Sequence, residues 1–335
     1  MSNPQLPVVG ITHNKAFPVE REVVRRSLDS LAVIRMIEMP SGTMSAVEEA
    51  LAIDRLRDVV AVLFRPGVLS RNMLAQCHAL RLIAVHGAGV DKVDLQAASD
   101  LGITVTNAPG ANAIGVAELA IALAVTLVRQ IGPMASATKS GLWDEARQQG
   151  TELAGKTLGI LGVGHVGSKV ASRALGFEMV VHAYDPAYAA DQLAIKGIRW
   201  MPFEQVLETA DVLSLHVPLD ARTYHLLDEP ALRRMKPGAY LLNLSRGPVI
   251  DETALVQALR DGRLAGAALD VREEEPPGGN DSLRSLPNVI VTPHVGGSTH
   301  EALARIAQVC ADEIARFLRD EPPVNVVVMP TRTTG

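Results

Sequence analysis

The sequence predicts an α/β protein with two doubly wound parallel sheets, each covered by helices on both faces. Strand-like and helix-like segments alternate almost throughout. The strands read as near-continuous apolar runs rather than in–out alternations, the pattern of strands buried on both faces. Size is the third observation. At 335 residues, 47% of them hydrophobic, the chain is long for one compact domain and has ample material for two cores.

In chain order, "PVVGIT" (7–12) reads as a strand and "PVEREVVRRSL" as an amphipathic helix. "LAVIRMIEM" is a second strand, "SAVEEALAID" a helix, "VVAVLF" (59–64) a strand and "SRNMLAQC" a helix. "LRLIAVH" (80–86), the helical "VDLQAASDLG" and the short strand "ITVTN" (103–107) follow. A long apolar helix then runs from about Asn112 to Gln130, and "GLWDEARQQGTELAG" is a polar connection. A second alternating series has strands at 157–161, 179–184, 211–217, 239–244, 265–271 and 288–291. A final helix over 299–318 and the tail "EPPVNVV" close the chain.

Composition excludes several classes. The net charge is −5 and no basic stripe stands out, so nucleic acid is not an expected partner. Within 113–128, "AIGVAELAIALAVTLV" is only sixteen residues long and carries Glu118. That is short of the roughly 20 residues of a spanning helix, so no membrane is expected. The N-terminus lacks the basic segment and apolar run of a secretion signal. Cys77 and Cys310 fit no zinc or redox spacing, which points to buried thiols, no metal and a reducing, cytoplasmic setting.

"KTLGILGVGHVGSKVASRALGF" carries the chemistry signal. Gly162, Gly164 and Gly167 form G-x-G-x-x-G directly after an apolar strand and at the opening of a helix. The first glycine permits the tight turn, the second lets a pyrophosphate approach the backbone, and the third lets helix and strand pack closely. The next strand, "MVVHAYD", ends in Asp185, an acid placed to bond an adenosine ribose and repel a 2′-phosphate. This is a Rossmann site for NAD rather than NADP.

Three downstream strand ends carry chemical groups. Arg246 follows "AYLLNL" and is either a bidentate carboxylate clamp or a loop arginine at the surface. Asp270 ends "AGAALD", ahead of a Glu273–Glu275 run that by itself reads as a solvated face. His294 follows "NVIVTP" and taken singly is more often structural, yet histidine is the natural acid–base group near neutrality. An arginine, a carboxylate and a histidine on successive strand ends after a nucleotide motif suit hydride transfer to a carbonyl. Gly296 and Gly297 then leave room for the nicotinamide end and a hinge into the last helix.

At this point the chain resembles the D-isomer-specific 2-hydroxyacid dehydrogenases over nearly its whole length. The shared stretches include "HGAGVDKVDL" (86–95), "VTNAPGANAIGVAE" (105–118), "LGVGHVG" (161–167) and "HVPLDART" (216–223). "NLSRGPVIDE" (243–252), "AALDVREEEPP" (267–277) and "TPHVGGST" (292–299) complete them. The resemblance implies a catalytic set of Arg246, Glu275 and His294, the glutamate being the one just before the prolines. It also implies that the amides of Ala88 and Gly89 hold the substrate carboxylate and that Asp270 binds the nicotinamide carboxamide. His165 and Val166 would lie over the pyrophosphate, with Val217, Leu244, Ser245 and Gly297 lining the cofactor site.

The family fold implies a Rossmann NAD-binding domain over 107–294, inserted into a flavodoxin-like substrate domain formed by 1–106 and 295–335. It further implies a homodimer through the 112–130 helix and the Trp143 region. Arg272 departs from the family, which usually has Phe or Tyr after "LDV", and so adds a charge near the site. A small 2-oxoacid/D-2-hydroxyacid pair of the glyoxylate/hydroxypyruvate type is the expected substrate. The alternative is 3-phosphoglycerate: Arg65 matches one basic position of those dehydrogenases, whereas Val85 stands where they often carry an arginine. His86 either shapes the substrate pocket or contacts backbone. A reading from another class is an NAD(H)-sensing co-repressor-like binding protein.

Overall fold

The structure, a computed structural model, describes residues 6–42, 44–187 and 196–330. Residues 1–5 and 331–335, which the sequence assigns to the substrate domain, lie outside the described residues. In chain order the first elements are β1 (Val8–His13), α1 (Arg21–Leu28), β2 (Val33–Glu38), α2 (Ala46–Leu56) and β3 (Val59–Phe64). They continue with α3 (Arg71–Gln76), β4 (Leu82–Val85), α4 (Leu95–Asp100), β5 (Thr104–Thr106), α5 (Ala113–Val128) and α6 (Ile131–Lys139). Next come β6 (Thr157–Leu161), α7 (His165–Gly176), β7 (Val180–Tyr184), β8 (Ile198–Trp200), α8 (Phe203–Thr209) and β9 (Val212–Leu215). The remainder is α9 (Glu229–Arg234), β10 (Ala239–Asn243), α10 (Glu252–Arg260), β11 (Leu264–Leu269), β12 (Val289–Val291), α11 (His300–Leu318) and β13 (Val326–Val328).

The chain divides into two compact units. One runs to Asn112 and resumes at Ser298; the other is Ala113–Gly297. The crossings thus fall at 112/113 and 297/298, against the expected 106/107 and 294/295.

In the first unit the strand order is β13-β5-β4-β3-β1-β2. All neighbours are parallel except β13, which pairs antiparallel with β5. The five parallel strands have the 2-1-3-4-5 order of a flavodoxin-like sheet, with its switch point between β1 and β3. β13 is antiparallel because the chain returns from α11 to the carboxyl end of β5, where Asn107 N donates to the Asn325 carbonyl at 3.1 Å. Glu313 on α11 fixes that return: its buried carboxylate accepts from the amides of Val324 and Asn325 and from the Asn325 side chain. One face of α11, including Ile306, Ala307, Cys310, Ala311 and Ile314, is buried against Val9, Leu63, Leu82 and Ala84 of the sheet. Those positions recur at three- and four-residue spacing, the apolar stripe of a core-facing helix. Its N-cap Thr299 accepts from Ala302 N at 3.1 Å.

The second unit holds a fully parallel seven-stranded sheet, β12-β11-β10-β9-β6-β7-β8. Six strands were expected; the seventh, β8, is a three-residue edge strand too short to show a period. The order around β6 is that of a dinucleotide-binding sheet, whose crevice opens between β6 and β9. The long apolar helix is α5, packed against α7, β10 and β11. Its solvent stripe is limited to positions such as Ile114, Glu118 and Ala122, hence its nearly all-round apolar sequence. Gln130 ends it in the left-handed region (φ 52°), and α6 then leaves at an angle with no buried residue. Among the described residues no single helix is long and apolar enough to cross a membrane; α5 and α6 reach that length only together and are bent by 64°. Both cysteines are buried, and burial pushes the Cys77 thiol up to about 11.

His86 follows β4 and is 8% exposed. Burial, and secondarily the nearby Arg65 cation, pushes its ring from 6.5 down to about 3. The folded unit therefore refuses a proton that the unfolded chain takes up below pH 6.5. Its contribution to stability is complete above that pH and is lost as pH falls toward 3, about 2 kcal/mol being gone at pH 5. Urea denaturation at pH 7.5 and pH 5 checks this: the acid-induced loss should be smaller by about that amount in His86→Gln.

Candidate active site

In an open α/β sheet, ligands bind beyond the carboxyl ends of the strands. The second unit places its chemical residues there one by one: Gly162 after β6, Asp185 after β7, Val217 after β9, Leu244 to Arg246 after β10, Asp270 after β11, and His294 after β12.

The glycine loop is tightly determined. Gly162 has φ 90°, and a Cβ there would lie 2.8 Å from the His216 carbonyl group. A Cβ on Gly167 would meet the Gly162 oxygen at 2.0 Å. These two positions are glycine because the loops after β6 and β9 and the start of α7 touch at backbone distance. Gly164 differs: nothing lies within 4 Å of its missing side chain. It is also the N-cap of the twelve-residue α7, with no side chain bonding the first-turn amides. A helix N-terminus left uncapped beside open space fits a pyrophosphate. Asp185 turns its carboxylate back on this loop, accepting from Val163 N at 2.7 Å and Ala187 N at 2.9 Å. Two such bonds leave lone pairs for a ribose hydroxyl. His165 is exposed at the start of α7 with Val166 beside it, and Val217, Leu244 and Ser245 are almost buried at their strand ends. The residues fit a dinucleotide.

Two polar residues shape the loops that carry Arg246 and His294. Asn243, the last residue of β10, donates to the Arg246 carbonyl at 2.9 Å. Its Oδ1 accepts from Ser245 N at 3.0 Å and Ser245 Oγ at 2.8 Å, folding the turn that carries Arg246. Arg246 in turn donates through Nη1 to the Ser245 carbonyl at 2.7 Å. Asp270 is 3% exposed. Its Oδ1 accepts from Thr292 Oγ1 (2.6 Å) and Val295 N (2.9 Å), and its Oδ2 from Gly296 N (2.8 Å). These bonds bracket His294, whose φ of 54° lies in the left-handed region. That conformation costs roughly 1–3 kcal/mol in a non-glycine residue. Three hydrogen bonds to a charged acceptor, each worth about 1.5–3 kcal/mol, exceed that cost. Gly296 fits here because a Cβ would stand 3.0 Å from Asp270 Oδ2.

The loops after β11 and β12 bring Glu275 and His294 together, with Nδ1 of the ring 2.8 Å from Oε2 of the carboxylate. The other carboxylate oxygen accepts from the Arg272 amide at 3.1 Å. A carboxylate on Nδ1 fixes the ring and leaves Nε2 for proton exchange. The sequence showed no sign that Asn243 and Thr292 are involved, nor that Asp270 organises the His294 loop. A lone Asn and a Thr at strand ends carry no pattern, and the Thr292–Asp270 bond links residues on neighbouring strands.

The remaining sequence-derived residues belong to the first unit. Arg65 follows β3 at that sheet's switch point, with its amide donating to Thr12 Oγ1 at 2.8 Å. Its guanidinium lies 5.7 Å from the Phe17 ring centre, and burial lowers it to about 10. Ala88 and Gly89 lie in the loop after β4. Asn107 Nδ2 donates to the Ala88 carbonyl at 2.7 Å and Ala108 N to the Gly87 carbonyl at 2.8 Å, holding that loop in place.

The fold and the glycine loop define a dinucleotide-binding α/β protein. A sequence model of the D-isomer specific 2-hydroxyacid dehydrogenase NAD-binding domain matches residues 121–296. The chain is 36% identical over 316 residues to a glyoxylate reductase of Korarchaeum cryptofilum, covering 92% of this chain and 94% of that one. It is 38% identical over 305 residues to a D-3-phosphoglycerate dehydrogenase of Methanocaldococcus jannaschii, covering 90% of this chain but only 58% of that longer relative. A solved glyoxylate reductase from Paecilomyes thermophila superposes with a TM-score of 0.85 at 28% identity, over 97% of this chain and 99% of that one. The chain belongs to the D-isomer-specific 2-hydroxyacid dehydrogenase family, and its second unit is that family's NAD-binding domain. The family's chemistry is oxidoreduction at CH–OH groups.

Replacing Asp270 by Ala removes three bonds at once and releases the strained His294 backbone. The expected loss is about 3 kcal/mol or more in urea denaturation, with raised amide exchange at Val295 and Gly296. Unchanged protection of those two amides would contradict the assigned role.

Proposed function

We propose that the chain is an NAD-dependent D-2-hydroxyacid dehydrogenase interconverting a small 2-oxoacid and its D-2-hydroxyacid, of the glyoxylate/hydroxypyruvate type. The observation that carries this reading is the 2.8 Å contact between His294 and Glu275 on the strand end next to that of Arg246. The Arg246 guanidinium holds the substrate carboxylate, with the amides of Ala88 and Gly89 as further donors. The bound nicotinamide supplies or accepts the hydride. In reduction, protonated His294 gives its proton to the carbonyl oxygen while Glu275 steadies the imidazolium; in oxidation, neutral His294 takes the hydroxyl proton. Gly162, Gly164, His165, Val166 and Gly167 would cradle the pyrophosphate, and Asp185 the adenosine ribose. Val217, Leu244, Ser245 and Gly297 would line the nicotinamide side, with Asp270 also meeting the carboxamide. Asp185 favours NAD over NADP.

A phosphoglycerate dehydrogenase is the second reading, favoured by Arg65, a half-buried cation at the first sheet's switch point, and by the relatives of that name. The proposal includes a second copy of the chain as partner through the 112–130 helix and the Trp143 region. In support, α6 buries none of its residues and Trp143 is 65% exposed.

NADH oxidation against glyoxylate, hydroxypyruvate, phosphohydroxypyruvate, pyruvate and phenylpyruvate, repeated with NADPH, tests the reading. Turnover of the first two with NADH is expected. Preference for phosphohydroxypyruvate would select the second reading. Tight NADH binding with silence across the panel would select an NAD(H)-sensing binding protein. Arg246→Ala should abolish reduction while leaving NADH binding nearly intact; surviving reduction would refute its role.

A further inference from the structure

The segment that carries Glu275 is poorly anchored by apolar contacts. Residues 273–280 are all exposed, between buried Val271 and Arg272 at one end and Asp281 and Leu283 at the other. A glutamate on such a loop needs something other than a core to keep it against a histidine.

Arg272 supplies it. The side chain is 7% exposed and bonds two carboxylates, each in bidentate fashion. Nη1 and Nη2 donate to the two oxygens of Asp281, both at 2.8 Å. Nε and Nη2 donate to the two oxygens of Glu252 at 2.8 and 2.9 Å. The Asp281 side chain is itself only 6% exposed, and the guanidinium holds it below the usual carboxylate range. The Asp281 bond closes the base of the 273–280 loop. The Glu252 bond ties that base to the start of α10, the helix that follows the Arg246 turn, and Glu252 also accepts from Glu273 N at 2.9 Å. The two segments touch at backbone distance: a Cβ on Gly247, next to Arg246, would stand 1.8 Å from the Arg272 carbonyl oxygen. With the guanidinium fixed on both sides, the Arg272 amide is held where it donates to Glu275 Oε1 at 3.1 Å. The opposite oxygen, Oε2, meets His294 Nδ1.

We propose that Arg272 is a positioning residue. Clamped between Glu252 and Asp281, it orients Glu275 toward His294 and so sets the tautomer of the histidine ring. This rests on the acid–base reading of Glu275 and His294, and it assigns the departure from the family pattern a function.

The test uses Arg272→Met, with Glu252→Gln/Arg272→Met/Asp281→Asn as the charge-balanced form should the single variant not fold. Long-range 1H–15N spectra of the chain without cofactor report the His294 tautomer and require no turnover. The wild type should be protonated at Nδ1 when neutral, and the variant should shift toward Nε2. With NADH and hydroxypyruvate, kcat should fall roughly 10- to 100-fold, the scale of a misplaced catalytic group, with KM for NADH unchanged. In a Glu275→Gln background the same substitution should cost nothing further, because Arg272 acts through that carboxylate. An unchanged tautomer in a folded variant, or an equal fall in the Glu275→Gln background, would overturn the proposal. If Glu275→Gln itself leaves kcat untouched, the acid–base reading fails and the inference with it. If only the Arg272 variants are silent, that reading stands alone.

Discussion

One buried carboxylate holds the strand-end loops of the second unit in register. Asp270 directly follows β11, yet all three of its side-chain hydrogen bonds go to the loop after β12. It fixes the residues on both sides of His294, which keeps a conformation that a non-glycine residue rarely adopts. The histidine's direction, and with it the partner it meets, is thus decided by an acid on the neighbouring strand. Asn243 has the corresponding role on the adjacent strand, where its amide folds the turn that presents Arg246. Asp270 thus ties neighbouring strand ends sideways, whereas Asn243 folds the loop of its own strand.

The architecture was legible wherever burial dictates sequence. Strands covered on both faces must be apolar throughout, so "VVAVLF" and "AYLLNL" announced β3 and β10 directly. The glycine loop was legible because backbone contact forbids any other residue at Gly162 and Gly167. What escaped was short or non-local. β8 is too brief for a pattern, and the direction of β13 depends on how α11 returns the chain. The sharp end of α5 at Gln130 depends on a backbone angle that glutamine does not advertise. In the site, residue types and strand ends pointed to Arg246 and His294, whereas the choice among Glu273, Glu274 and Glu275 came from family likeness. The contacts of Asp270 link positions 22 to 26 residues apart, and those of Arg272 close a loop; spacing alone reveals neither.

The two units also show two ways of anchoring an irregular segment. In the first, the loop after β4 is tied by neutral amide contacts from Asn107 and Ala108, and the return to β13 is fixed by the buried Glu313. In the second, an exposed acidic loop is closed by ionic contacts around Arg272. Replacing such an arginine alone leaves two carboxylates with their partner gone, and that is costlier than replacing the whole cluster by neutral groups of similar shape. A charge cluster of this kind therefore changes at lower cost as a block than one residue at a time.

The glycine loop has a further consequence. Gly162 and Gly167 admit no additional atom, so their constraint belongs to the folded chain itself and holds whether or not a nucleotide is present. Gly164 has empty space before it, so the chain alone places no demand on that position. Within six residues, then, two selective pressures are written in the same letter. One glycine type guards the shape of the protein, and the other keeps a place open for a visitor.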